Sequence, residues 1–139
     1  AYGSISSEPA PHEGALPCER PCPPPADTTN ALRSVLLSWC GETNTPPRTV
    51  LCTPSKSTEA WVLAALFPED RALRGQIECL ARPETRLGQQ PKGQRIRKCK
   101  KDYEAHAEAF RTAWPNVTRL SEASRFHAEF LHAVHPPEG

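Results

Sequence analysis

A chain of 139 residues with 37% apolar side chains has material for one domain with a modest core and a polar surface. Seventeen Lys and Arg against sixteen Asp and Glu leave a formal charge of +1, which excludes a global field drawing the chain to nucleic acid or to a membrane, so electrostatic partners must be read locally. No apolar run approaches the roughly 20 residues of a membrane-spanning helix, and the N-terminus lacks the basic-then-apolar order of a signal peptide, so no membrane contact and a cytoplasmic location are expected.

Ten of the sixteen prolines fall between Pro9 and Pro54. Residues 1–26 mix Pro, Gly, Ser and Glu with almost no apolar periodicity, and the CPPP run at 22–25 forbids helix and favours polyproline II. They are expected to be an extended arm or tail in front of a single domain over 27–139. The chain has no Met and starts at Ala1, from which a processed product or missing upstream residues are expected.

From Asp27 the pattern becomes DTTNALRSVLLSWCG, with Leu32, Val35, Leu36 and Trp39 at helical spacing, Asp or Thr in front and Gly41 behind, which predicts a helix. ETNTPP over 42–47 is a loop. Residues 49–53, TVLCT, are β-branched and apolar and predict a short buried strand. A Pro-Ser-Lys-Ser turn follows, then a helix capped by Ser57 or Thr58 that stops at Pro68.

Residues 76–80, QIECL, predict a second strand, and residues 84–101, broken by Gly88, Pro91 and Gly93, a basic loop leading into a helix. Residues 101–114 and 121–135 read as two further helices separated by Pro115 and Asn116, and no internal repeat is present. Helix, strand, helix, short strand and two helices predict an α/β fold, a small parallel sheet flanked by helices with a helical C-terminal third. Two strands are too few to organise a domain, so a further strand is expected upstream of Ala1.

The strand-to-helix junction is where α/β folds place binding sites. Ser55, Lys56 and Glu59 there are the candidates, Lys56 for a phosphate and Glu59 for a metal or a phosphate. The competing reading of Glu59 is a first-turn carboxylate stabilised by the helix dipole by about 0.3 to 1 kcal/mol.

The densest charge is KGQRIRKCKK at 92–101, where Lys92, Arg95, Arg97, Lys98, Lys100 and Lys101 stand without any Asp or Glu from 85 to 101. Such a run can hold backbone phosphates and release counterions without reading bases, with Tyr103 placed to stack on a base. A solvated basic face is the bland alternative.

Six cysteines, at 18, 22, 40, 52, 79 and 99, allow fifteen disulfide connectivities. Cys40 and Cys52 lie in apolar patterns where a thiol acts as a small buried hydrophobe, so reduced thiols are expected. A zinc site from Cys18, Cys22, Cys79 and Cys99 lacks a second close pair, and His127, His132 and His135 do not converge on one helix face. Asn116-Val117-Thr118 fits the glycosylation acceptor pattern, which matters only in a secreted protein. No Gly-rich phosphate loop, GxSxG elbow or HExxH is present.

The run TVLCTPSKSTEAWVLAAL at 49–66 resembles the central segment of a bacterial Toprim-like family related to the RloB and OLD-type nuclease groups. In those proteins an apolar strand ends in a Pro-Ser or Pro-Cys turn before a helix with an acid-apolar-Trp signature. The matching residues here are Pro54, Ser55, Glu59, Ala60 and Trp61, and the likeness runs loosely over 27–135. The resemblance implies a Toprim-like, Rossmann-like fold, Mg²⁺ or Mn²⁺ chemistry on phosphodiesters with Glu59 as catalytic and metal-holding acid, and a setting in phage defence.

The family's Glu on a first strand and Asp-x-Asp on a second are not among these residues. Residues 1–26 hold only Glu8, Glu13 and Glu19 as acids, so the expectation is a domain that binds DNA or RNA backbone through Ser55, Lys56 and the cations at 92–101 and is incomplete for cutting. The alternative is a non-enzymatic module that docks a protein partner through its Pro-rich arm and apolar helices.

Overall fold

The computed structural model describes residues 20–135. Six helices follow in order: α1 Pro25–Trp39, α2 Glu59–Leu66, α3 Pro83–Gly88, α4 Lys100–Thr112, α5 Trp114–Val117 and α6 Ser121–Val134. Two 3₁₀ turns, Arg71–Arg74 and Ile77–Cys79, join α2 to α3. Among the described residues there is no strand and no sheet, which overturns the expected α/β, Toprim-like architecture.

The reason lies in the two segments expected to be strands. Residues 49–53 are extended, and Leu51 and Thr53 turn toward Arg33, Glu122, Arg125 and Phe126 of α1 and α6. Among the described residues, however, the backbone N–H groups of 50–53 donate to no other backbone group. An extended run becomes a strand only when a neighbour completes its ladder.

That neighbour was expected at 76–80, which instead winds into the 3₁₀ turn Ile77–Cys79. Ile77 and Glu78 are buried there, and Cys79 is joined to Cys22 by a disulfide. The expectation of reduced thiols is thereby corrected at Cys22 and Cys79, while Cys40, Cys52 and Cys99 carry free thiols. Cys40 and Cys52 are also exposed rather than buried. The expected arm falls largely outside the described residues, but its end is fastened: Cys22 is bonded to Cys79 and Pro25 is buried at the start of α1.

The centre of the domain is α2, buried on nearly every side through Ala60, Trp61, Leu63, Ala64 and Ala65, as a helix apolar all round must be. Around it close Ile77, Leu87, Ile96, Val117 and Ala123. The Trp61 ring meets Trp114 edge to face at 6.1 Å and stacks on Phe126 at 5.7 Å, arrangements that favour aromatic pairs beyond the area they bury. Asn116 Nδ2 donates to the Ala65 carbonyl at 3.2 Å, so the amide of the glycosylation pattern is engaged in tying α5 to α2.

α1 lies alongside α6 and parallel to it, since its polar partners advance together. Thr29 Oγ1 donates to Glu122, Arg125 donates to Asn30 Oδ1 at 2.6 Å, and Arg33 pairs with Glu129 at 2.9 Å. α1 ends in a Schellman arrangement: Gly41 has φ +72, and the N–H of Glu42 reaches back to the Leu37 carbonyl at 2.8 Å.

The start of α6 is closed from a distance. Its N-cap position, Leu120, has no side chain that can accept. The Glu78 carboxylate, only 3% exposed, takes the donors instead, from Ser121 Oγ and the Glu122 N–H at 3.0 Å, the Ala123 N–H at 3.1 Å and Trp61 Nε1 at 3.3 Å. First-turn N–H groups have no partner inside a helix. A carboxylate satisfies them and gains from the dipole as well.

Candidate functional site

The candidate residues divide between the start of α2 and the segment leading into α4. Ser55 is buried, and its hydroxyl donates across 3.7 Å to the Cys22 sulfur, which as half of a disulfide has no proton to give. Lys56 is half-buried beside it. The expected side-chain cap of α2 is not made: Thr58 holds the N-cap position without a side-chain bond, and among the described residues Ser57 Oγ completes no hydrogen bond of good geometry, although it lies near enough to help lower the Glu59 carboxyl.

Glu59 stands in the first turn of α2, 9% exposed, and accepts a hydrogen bond from the Tyr103 hydroxyl at 2.9 Å. Burial pushes its carboxyl up, but the Tyr103 bond, its own backbone N–H and the charge of Lys98 outweigh that and hold it below the usual carboxylate range. Tyr103 answers in the opposite sense. Burial, with the bond and charge of Glu59, pushes its phenol up to about 12. The pair is therefore a carboxylate accepting from a neutral phenol, with a lysine nearby.

A divalent cation such as Mg²⁺ or Mn²⁺ takes six or so oxygens. Among the described residues no group of three His, Cys, Asp or Glu side chains is placed to hold one. Glu59 offers a single carboxylate faced by a phenol and a lysine, a donor set that does not fit such an ion.

Residues 92–101 are pinned at one point and open elsewhere. Ile96 is 2% exposed, and its N–H donates to the Leu87 carbonyl at 3.2 Å. Every flanking cation, Lys92, Arg95, Arg97, Lys98, Lys100 and Lys101, is exposed. A single apolar anchor among exposed cations fixes the basic strip to the core.

Some of that charge is spent locally. Arg97 gives its backbone N–H and its Nε to Asp102 Oδ2 at 2.8 and 3.2 Å, and Lys100 lies 3.7 Å from Glu104. The Arg97 bonds hold the Asp102 carboxyl below its ordinary range. Arg95 donates to the Gln90 carbonyl at 2.8 Å, which fixes its stem without cancelling its charge. Among the described residues Lys92, Lys98 and Lys101 enter no ion pair.

Lys100 and Lys101 open α4, at the end of a helix where the dipole disfavours cations. Tyr103 sits one turn in, and its hydroxyl bond to Glu59 ties the start of α4 to the start of α2. Sequence reading missed Glu78, because nothing in QIECL marks a carboxylate that will close a helix 43 residues on.

The other sequence candidates disperse. Cys22 and Cys79 are consumed by their disulfide, and Cys18 lies outside the described residues, which dissolves the four-cysteine site. His127 Nδ1 accepts from Trp114 Nε1 at 3.2 Å, and His106 Nδ1 donates to the Asp102 carbonyl at 2.8 Å. No helix among the described residues is long and apolar enough to cross a membrane. The chain matches no protein-family model, no curated protein and no solved structure, so its functional reading rests on its own residues.

Proposed function

We propose that this domain binds nucleic-acid backbones, DNA or RNA, without reading sequence, through the strip at 92–101. The observation that supports this reading is the outward display of six cations around one buried anchor, Ile96. Three of them, Lys92, Lys98 and Lys101, enter no ion pair among the described residues. Phosphates in solution can take up charge that the fold leaves uncompensated. Two lysines at a helix N-terminus work against the helix itself, a local cost that anion binding offsets.

In this reading Glu59 is a positioning residue. It holds the Tyr103 hydroxyl at 2.9 Å near the start of α4, while Lys56 and Ser55 border the same end of α2. The proposed role is binding, with no cleavage step and no metal requirement.

The test is anisotropy of labelled single- and double-stranded DNA and RNA across a salt series, with and without Mn²⁺. Affinity should fall linearly on a logarithmic salt axis. Charge reversal of Lys98, Lys100 and Lys101 to Glu should weaken binding to every sequence alike and reduce the slope by about 3. Absence of binding at low salt would sink the proposal. Mn²⁺-dependent cuts would restore the metal chemistry that the Toprim-like resemblance implies.

One observation favours the protein-docking alternative: Phe130, Leu131 and Val134 are exposed along one side of α6. Protein capture that survives the triple charge reversal would select it. A cytoplasmic setting accompanies the nucleic-acid reading. The Cys22–Cys79 bond weighs against that setting, since cytosol keeps thiols reduced. Thiol alkylation of protein taken directly from cells decides between them: two alkylated residues at 22 and 79 mean cytosol, and a protected pair means an oxidising compartment.

A further inference from the structure

A cleft of about 620 Å³ opens between the loop after α1 and the C-terminal half of α6, within the size range of small-molecule sites. Pro46 and Pro47 face Ala128 and Ala133 across it as apolar walls, and Arg33, Arg48, Glu129 and His132 bring polar groups to its surface.

The charges there do not cancel. Glu129 is engaged at both oxygens, by Arg33 at 2.9 Å and by Arg125 at 3.4 Å. Arg48 is exposed and enters no ion pair among the described residues. With Arg33 and Arg48 against Glu129 alone, the lining carries one cation in excess before His132 is considered.

Arg48 is also the one non-glycine with positive φ, +57, among the described residues. Left-handed backbone is unfavourable for a side chain with a Cβ, and such residues concentrate at ligand clamps, where the surroundings over-determine them. Here the two prolines before it and the hydroxyl of Thr49, which donates to the Pro47 carbonyl at 3.3 Å, set the turn that delivers Arg48 to the cleft.

We infer that this cleft binds a small organic anion, a carboxylate or phosphate monoester with a compact apolar body. The anion pairs with the guanidinium fork of Arg48, and the body lies between the prolines and the alanines of α6. A planar fork suits both anion types, since each accepts two parallel N–H bonds.

Calorimetric titration of the full chain with phenyl phosphate, benzoate and neutral benzyl alcohol tests it, alongside the melting temperature of each variant. Either anion should bind with a Kd of about 1 mM or tighter while the alcohol does not. Arg48→Gly removes both the guanidinium and the conformational penalty. Affinity for the anion should fall about tenfold or more while the melting temperature holds or rises. Arg48→Lys should recover part of the affinity.

Ala133→Trp, which fills the cleft from α6 and leaves Arg48 in place, should abolish binding by a second route. Failure of both anions to bind, equal binding by the alcohol, or unchanged affinity in Arg48→Gly overturns the inference. Should Arg48→Gly lower the melting temperature, the Ala133→Trp titration decides alone. Charge reversal at Lys98, Lys100 and Lys101 leaves these titrations unchanged, so the two proposals fail separately.

Discussion

At the scale of single residues Glu59 and Tyr103 shift one another in opposite directions. A depressed carboxyl and a raised phenol have opposite consequences for stability. The Glu59 contribution is present above the ordinary carboxylate range and is lost as pH falls through its lowered value. The Tyr103 contribution is present below 10.0 and is lost as pH rises toward about 12. In a Tyr2→Phe background, an ultraviolet phenolate titration should place Tyr103 at about 12. Glu59→Gln should lower that value, leaving the parts due to burial and to the charges of Glu84 and Cys99. A Tyr103 that titrates identically in both proteins would show that the pair does not interact. Part of this is legible in sequence, because Glu59 opens a helix and Tyr103 follows a basic run. Their contact is not, since 44 residues separate them and no local rule joins them.

At the scale of elements, α1 is closed by its own sequence and α6 by a distant residue. The glycine after α1 predicted its termination, and the backbone fulfils it with Gly41 at φ +72. Gly41→Ala should cost about 1 kcal/mol in a urea melt, from forcing a Cβ into left-handed backbone. A loss near zero would mean that the end of α1 refolds around the substitution. α6 begins at the serine expected, yet its closing group is Glu78 from a distant turn. Glu78→Ala should destabilise by about 3 kcal/mol, because a cavity and several orphaned donors remain. Glu78→Gln, which keeps an acceptor, should cost less. Equal losses in the two variants would mean that acceptor geometry matters less than charge at this helix end.

At the scale of the whole molecule the Cys22–Cys79 bond is the largest single constraint, closing a separation of 57 residues. Constraining the unfolded chain over a loop of that length corresponds to about 4 kcal/mol. Urea melts with and without reductant should differ by roughly that amount. A reduced protein that melts alongside the oxidised one would show that packing around α2 suffices alone. The same bond draws the end of the Pro-rich segment against the 3₁₀ turn at Ile77–Cys79. With it, the segment expected to be a second strand is committed to a different structure.

What the sequence by itself determined are the features that depend on neighbours along the chain. The helices at Pro25–Trp39 and Ser121–Val134, the break at Pro68 and the basic strip at 92–101 follow from periodicity, proline chemistry and charge density. Tertiary structure alone decided whether residues 49–53 were a strand, because extended backbone needs a partner for its hydrogen bonds and the chain within 20–135 supplies none. It alone paired Cys22 with Cys79, and it alone brought Glu78 to α6 and Tyr103 to Glu59. Each of these joins residues that are distant along the chain, and their energy arises only once burial has removed the water that would otherwise satisfy the same groups.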